Sequence, residues 1–270
     1  MILRRHPVAA AVSFLVIALL WTPLAIVALN AVNKNELLVA WGGATLRWFK
    51  DAFNDPDVRD GLRLTMIVGG LSTVIAVPLA VTGALWWRRA SGPGRRLYEV
   101  LIYVNVILPE VVFASALFLL FVRAGVPLGV PSIVIGHSVW NAAYAFLIVQ
   151  ARLAALDPAL EEAAADLGAN SAGVFWRVTV PALVPGIVVA ALIAFTFSFD
   201  DVITTYFLAG SSGNTLPVLL FGLIRFRVTP EVNAIGVMVM IFTAGVATLG
   251  YLLLARVNRS RRGGLPVGMP

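Results

Sequence analysis

Two groups of residues in this chain have types and spacing that can do chemistry. The first is 157–185, DPALEEAAADLGANSAGVFWRVTVPALVP. Asp157 can accept from free backbone N–H groups, and Pro158 fits the first helical position. Glu161 and Glu162 sit near the positive dipole end. Ala163, Ala164 and Ala165 form helix readily and carry little bulk. Gly168 then stops the helix, because glycine takes the left-handed conformation without steric cost. Asn170 or Ser171 can cap a second helix that runs toward Pro181. A small-faced helix, a glycine stop and a second helix have the form of a docking knob.

The second group is acidic. Glu110 is the one acid inside an apolar run. A charge at membrane depth costs ~2.5–3.5 kcal/mol, so Glu110 should face a cavity or a partner. One reading is a carboxylate on a translocation path, and the other is a structural partner for an arginine or backbone group near a Pro109 kink. Asp200 and Asp201 close a later apolar run. As helix from Pro181, that run is ~29 Å long at ~1.5 Å per residue, which carries the two acids across the bilayer. Paired acids there would concentrate cations, or else solvate and cap a helix end. Trp140, Tyr144 and Tyr206 can offer ring faces to an ammonium group, or serve as packing and interfacial anchors. His137 and Asn141 need partners in lipid, and interhelical hydrogen bonds would supply them.

The elements that must position these residues are membrane spans. The chain has 270 residues, 60% hydrophobic and 13% charged, and its mean hydropathy is +0.91. Soluble domains carry about 25% charged residues, so this is an integral membrane protein built from helices. With no cysteine it has no disulfide, thiol nucleophile or cysteine-ligated metal. Its net charge of +6 comes from arginines flanking apolar runs, which is a topology signal rather than a nucleic-acid one. A span takes ~20 apolar residues. Six are expected, at about 8–30, 62–87, 99–122, 131–151, 181–200 and 232–255. The first follows Arg4-Arg5 and is read as a retained span, being longer than a signal-peptide core. Leu46, Phe49 and Phe53 mark a short amphipathic helix at the interface. Residues 202–224 are cut by GSSGN, so 202–231 is expected to form an outer or re-entrant loop. Glu231 reads as a helix-start acid for the last span.

The tight loop 88–96 holds Arg88, Arg89, Arg95 and Arg96, and the tail holds Arg256, Arg259, Arg261 and Arg262. With the N-terminal segment and 152–180, that face carries 12 Lys/Arg against 8 on the other. Both termini and the knob at 157–180 are therefore expected on the cytoplasmic side. Trp21, Trp41, Trp48, Trp86 and Trp87 lie near span ends or in the outer loop and read as an aromatic belt.

With that topology, 162–181 reads as a motif. Glu162-Ala163-Ala164 is followed after three residues by Gly168, then after nine by Val178, and then by Val180-Pro181. This resembles the EAA loop of ABC importer permeases, with valine at two positions where the family has isoleucine and leucine. WFKDAFNDPDVRDGLRLT, LPEVVFASAL, SFDDVITTYF and LPVLLFGLIRFRVTPEVNA are similar to the permeases of spermidine/putrescine importers. The resemblance implies a single-domain, six-span type I importer permease in the bacterial inner membrane. It implies two cytoplasmic ATPase subunits, a second permease subunit and a solute-binding protein as partners. Glu162, Ala163, Ala164, Gly168 and Pro181 would then belong to the coupling loop, with Glu162 pairing with a basic residue of the ATPase. Glu110, Asp200, Asp201, Trp140 and Tyr144 would line the path of a polyamine-like cation.

The chain has no G-x-x-x-x-G-K-[ST] run for ATP phosphates, and its only lysines, Lys34 and Lys50, lie in the first outer loop. No catalytic residue or bound cofactor is expected, and ATP would be hydrolysed by the partners. The same machine with another cargo, such as iron, thiamine or an organic phosphate, is the alternative. A stand-alone secondary transporter would show paired broken spans in two similar halves, and one interrupted segment stands without a counterpart. An intramembrane enzyme finds no motif, since Ser132 and His137 are five apart and unsupported.

Overall fold

A computed structural model describes residues 7–262, with side chains from 8 to 256. Arg4, Arg5 and the side chains of Arg259, Arg261 and Arg262 lie outside the described residues. Helices make up the fold: α1 (Pro7–Ala31), α2 (Arg47–Asn54), α3 (Pro56–Arg89), α4 (Pro93–Ile107), α5 (Glu110–Arg123), α6 (Val130–Ala154), α7 (Ala159–Asp166), α8 (Ser171–Val174), α9 (Val180–Asp200), α10 (Ile203–Leu208), α11 (Leu216–Phe226) and α12 (Pro230–Arg262). Among the described residues the only bridge of strand type is the isolated pair Asn33 and Ala44. Five helices are long and apolar enough to cross a membrane, or six if the bent pair α4–α5 counts as one span.

That pair departs from the single third span expected at 99–122. The helices turn by 111° at the break. Leu108 (φ −59°, ψ 134°) and Pro109 (φ −58°, ψ 132°) are both extended. Pro109 has no N–H to continue the ladder, and its ring drives the preceding residue out of the helical region. Glu110 therefore opens a new helix instead of riding inside a continuous one.

The chain divides into two compact units. One comprises residues up to 60 together with 219–243. Its centre is Trp48, which packs with Ala31 and Ala234. The Trp48 indole N–H donates to the Asn33 carbonyl at 2.8 Å. Asn33 folds the loop around itself: its Oδ1 accepts from the Asn35 and Gly42 N–H groups, and its amide donates to the Ala40 carbonyl. Two expectations change here. Trp48 is a core residue and not a belt residue. Helix α2 exists, but it buries Trp48 and Ala52, while Leu46 and Phe53 remain exposed.

The other unit comprises 61–218 and 244 onward. Its core is the seam between α6 and α9, where Phe146, Val149 and Leu153 meet Leu183 and Ala190. Gly186 sets how closely the two helices approach. A Cβ at this position would lie 2.7 Å from the Arg152 Cβ and 2.8 Å from its Cγ. The Arg152 Nε–H donates to the Ala182 carbonyl at 3.0 Å across the same seam. Gly186→Val should force these helices apart and cost about 1–3 kcal/mol, as overpacking does. A lowered midpoint in a thermal melt of the detergent-purified protein checks this.

Upstream of α9, residues Phe175–Thr179 form a π-helical turn, so α8, this turn and α9 run on as one helix. Pro181 has no N–H, and the helix widens just before it. Beyond α9, the segment expected as an outer or re-entrant loop forms α10 and then α11. In α10, Thr204, Thr205 and Leu208 are buried. Gly136 of α6 makes room for this helix, because a Cβ there would meet Leu208 Cδ1 at 2.6 Å.

Candidate functional site

Helix α6 carries His137, Trp140, Asn141 and Tyr144, spaced i, i+3, i+4, i+7, which places them on one face. Helix α5 presents Glu110 in its first turn, where the helix dipole favours a carboxylate. Helix α9 ends at Asp200, and Asp201 (φ −67°, ψ 129°) turns the chain toward α10. These elements enclose a cavity of 420 Å³. It gathers Glu110, Trp140, Tyr144, Asp200 and Asp201, together with His137, Asn141, Phe197, Ser198 and Thr204. Tyr206 is 63% exposed and does not line it.

Asp200 and Asp201, not separable in the sequence, differ in the structure. Asp200 is exposed on the cavity side. The Asp201 side chain is 8% exposed, and its Oδ1 accepts from the Thr205 backbone N–H at 2.8 Å. His137 Nε2 lies 3.1 Å from the same oxygen and 3.1 Å from the Thr205 hydroxyl. His137 Nδ1 lies 2.6 Å from the Ser198 hydroxyl, and that hydroxyl accepts from the Ser72 hydroxyl at 3.0 Å. One chain of polar groups therefore links α3, α6, α9 and α10. The Glu110 and Asp201 carboxyl groups adjoin each other, and the Thr204 hydroxyl makes a long 3.5 Å contact to Glu110 Oε1.

Ser132 and His137, five apart and unsupported as a pair in the sequence, do not meet: Ser132 sits on Gly129 and on the Leu208 carbonyl. The residues that do meet His137, Ser198 and Asp201, lie about sixty positions away. A Ser–His–Asp contact of this kind has the outline of a hydrolase relay. Here Ser198 is 4% exposed and engaged by both His137 and Ser72, so the group acts as a strut. Removing the imidazole would leave a buried carboxylate short of one partner. His137→Leu should cost roughly 1.5–3 kcal/mol, the worth of a hydrogen bond to a charged group. Thermal unfolding in detergent, compared with wild type, measures it.

The knob has the predicted punctuation. Asp157 Oδ1 accepts from the Ala159 N–H at 3.0 Å at the start of α7. Gly168 (φ +88°) ends it. The Gly168 N–H donates to the Ala165 carbonyl and the Ala169 N–H to the Ala164 carbonyl, the paired bonds of a Schellman stop. Asn170 is the cap of the following helix, accepting from the Gly173 N–H at 2.8 Å. Glu162, Ala163 and Gly168 are exposed, beside Leu160 at 56% and Leu167 at 89%.

Glu161 does more than sit near the dipole end of α7. It turns inward while Glu162 turns outward, as neighbours ~100° apart around a helix must. Both Glu161 oxygens pair with the Arg88 guanidinium at 3.0 Å, and the Thr179 hydroxyl donates to Oε1 at 2.7 Å. Burial pushes the Glu161 carboxyl up, but the Thr179 hydroxyl and the Arg88 guanidinium outweigh it and hold the group below the ordinary carboxylate value. The Glu161 carboxyl is thus ionised at neutral pH. An arginine at the end of a predicted span, on the same predicted face as an acid in the next loop, was the available signal. Arg95 is likewise more than a topology anchor, since its guanidinium lies over the Trp87 ring and pairs with Glu99.

Residues 72–263 match the family described as binding-protein-dependent transport system inner membrane component. The putrescine transport system permease protein PotI of Escherichia coli (strain K12) is 28% identical over 264 residues, covering 95% of this chain and 94% of that protein. The spermidine/putrescine transport system permease protein PotC of Haemophilus influenzae is 27% identical over 245 residues, covering 91% and 95%. Among solved structures, a chain of a bacterial ABC transporter involved in import of the acidic polysaccharide alginate superposes with a TM-score of 0.71 at 17% identity, covering 94% of this chain and 97% of that one. A chain of the MetNI methionine ABC transporter gives 0.61 at 19%, covering 74% and 94%. At these identities the structural likeness establishes the fold, that of ABC importer permeases.

Proposed function

The chain belongs to the family of binding-protein-dependent transport system inner membrane components, and we propose that it forms half of the translocation path of an ABC importer for polyamine-like cations. A second permease supplies the other half. Two ATPase subunits sit on the cytoplasmic side, with 157–180 fitting a groove on the ATPase, and a solute-binding protein delivers cargo to the opposite face. Both termini lie on the cytoplasmic side. ATP is bound and hydrolysed by the partners, because this sequence has no phosphate-binding loop.

The observation that carries the cargo reading is the single cavity lined by Glu110, Asp200 and Asp201 beside the rings of Trp140 and Tyr144. Its volume of 420 Å³ falls within the ~300–1,000 Å³ usual for small-molecule sites. An ammonium group leaving water needs carboxylates and ring faces to replace its hydration. Asp200, the exposed acid, is placed to attract the cation, and Glu110 to receive it at the start of α5. Asp201, fixed by His137 and Thr205, keeps the lining rigid. The names of the PotI and PotC relatives point to the same cargo.

Calorimetric titration of the cognate binding protein tests the cargo. Putrescine or spermidine should bind, while ferric citrate, thiamine and glycerol phosphate should not. Binding of one of those three in place of the amines would overturn the polyamine assignment and leave the importer assignment standing.

A further inference from the structure

The docking helix α7 is joined covalently to two membrane helices, α6 before it and the α8–α9 helix after it. The ion pair between Glu161 and Arg88 adds a third attachment, to the cytoplasmic end of α3. We propose that Glu161, Arg88 and Thr179 form a mechanical joint. Through it, displacement of the docking helix by the ATPase is delivered to α3 as well as to α6 and α9. This rests on the reading of 157–180 as the docking loop.

Three features of the geometry support a joint over an incidental surface pair. The contact is bidentate, with both guanidinium–carboxylate distances at 3.0 Å, and such forks fix orientation as well as distance. The same carboxylate accepts from Thr179, itself 5% exposed in the π-helical turn that leads into α9, so one group ties three elements. Each charge also sits at the helix end that favours it, Arg88 in the last turn of α3 and Glu161 in the first turn of α7. The outward residues Glu162 and Leu167 take no part in the contact, so docking and transmission use different faces of one short helix.

Helix α3 also connects to the cavity lining. Its Ser72 meets Ser198, which holds His137 and through it Asp201. Movement of α3 at Arg88 can therefore reach the carboxylate lining at the other end of the same polar chain. Glu161 and Arg88 are positioning residues in this scheme and touch no cargo.

The test uses the assembled importer in lipid nanodiscs. Because this chain has no cysteine, Ile203→Cys adds a single thiol to it at the cavity. A membrane-impermeant maleimide reports how ATP with vanadate changes access to that thiol, whatever the cargo. Glu161→Gln and Arg88→Gln should each leave ATPase binding within about twofold of wild type. Each should reduce the nucleotide-driven change in labelling at least fivefold. The double variant should respond like either single one, since both break one joint. A wild-type labelling response in the single variants would overturn the proposal. So would additive losses in the double variant, or loss of ATPase binding in the singles. The docking reading is tested separately by Glu162→Arg: if that change fails to weaken ATPase binding, the docking reading falls and the joint falls with it, whereas a failed joint leaves the docking reading standing.

Discussion

Glu162→Arg is expected to abolish ATP-driven uptake and to release the ATPase subunits from the membrane complex. Glu162 is exposed on α7 and makes no hydrogen bond or ion pair with the described residues through its carboxylate, at the mouth of a groove lined by Arg89, Ala165 and Phe175. Its carboxylate is proposed to meet a basic group of the ATPase. Reversing the charge sets like against like, at a cost of several kcal/mol. A loss of about 3 kcal/mol lowers affinity about a hundredfold. The helix itself should survive, because its caps at Asp157 and Asn170, its Schellman stop and its Glu161 pair are untouched. Co-purification of the ATPase with the variant, set against wild type, reads the outcome. Retained association with normal uptake would remove the docking role from this face.

Glu110→Gln has the second large expected effect. It exchanges the carboxyl group at the start of α5 for an amide of the same shape and keeps the contact to Thr204. A hydrogen bond to a charged group is worth about 1.5–3 kcal/mol, so uptake of a diamine at subsaturating concentration should fall about tenfold or more. ATPase docking and basal hydrolysis should persist. Asp200→Asn should do less, because an exposed acid attracts cations through a screened field, and its effect should shrink as salt is raised. Asp201→Asn mixes two losses, since Asp201 also anchors His137 and the Thr205 N–H. Thermal stability measured beside uptake separates them: Glu110→Gln should melt like wild type, and Asp201→Asn should melt earlier.

These expectations divide according to what a linear sequence carries. The helix–stop–helix form of 157–180 was legible because its signals are local, with a cap, a glycine stop and a fixed spacing within one short stretch. The cavity residues were legible one at a time, because a charge or a polar ring in an apolar span needs a reason. What stayed hidden was the pairing. His137 finds Ser198 and Asp201 from another helix, and nothing near it in the chain announces them. Glu161 and Glu162 look alike until the helix is wound, and then one faces Arg88 and the other faces outward. Pro109 was visible as a kink, yet the 111° turn follows only when two consecutive extended residues are seen together. Trp48 resembled its neighbours near the span ends, and only the fold brings Ala31 and Ala234 around it.

ATP-driven uptake of radiolabelled putrescine into vesicles bearing the assembled importer and its binding protein tests the central claim most directly. Wild type should accumulate putrescine only when ATP is supplied on the ATPase side, and Glu110→Gln should accumulate it at least tenfold more slowly with the ATPase still bound. Equal uptake by the two proteins, or no putrescine uptake by an assembly that carries an anionic or uncharged solute, would contradict it.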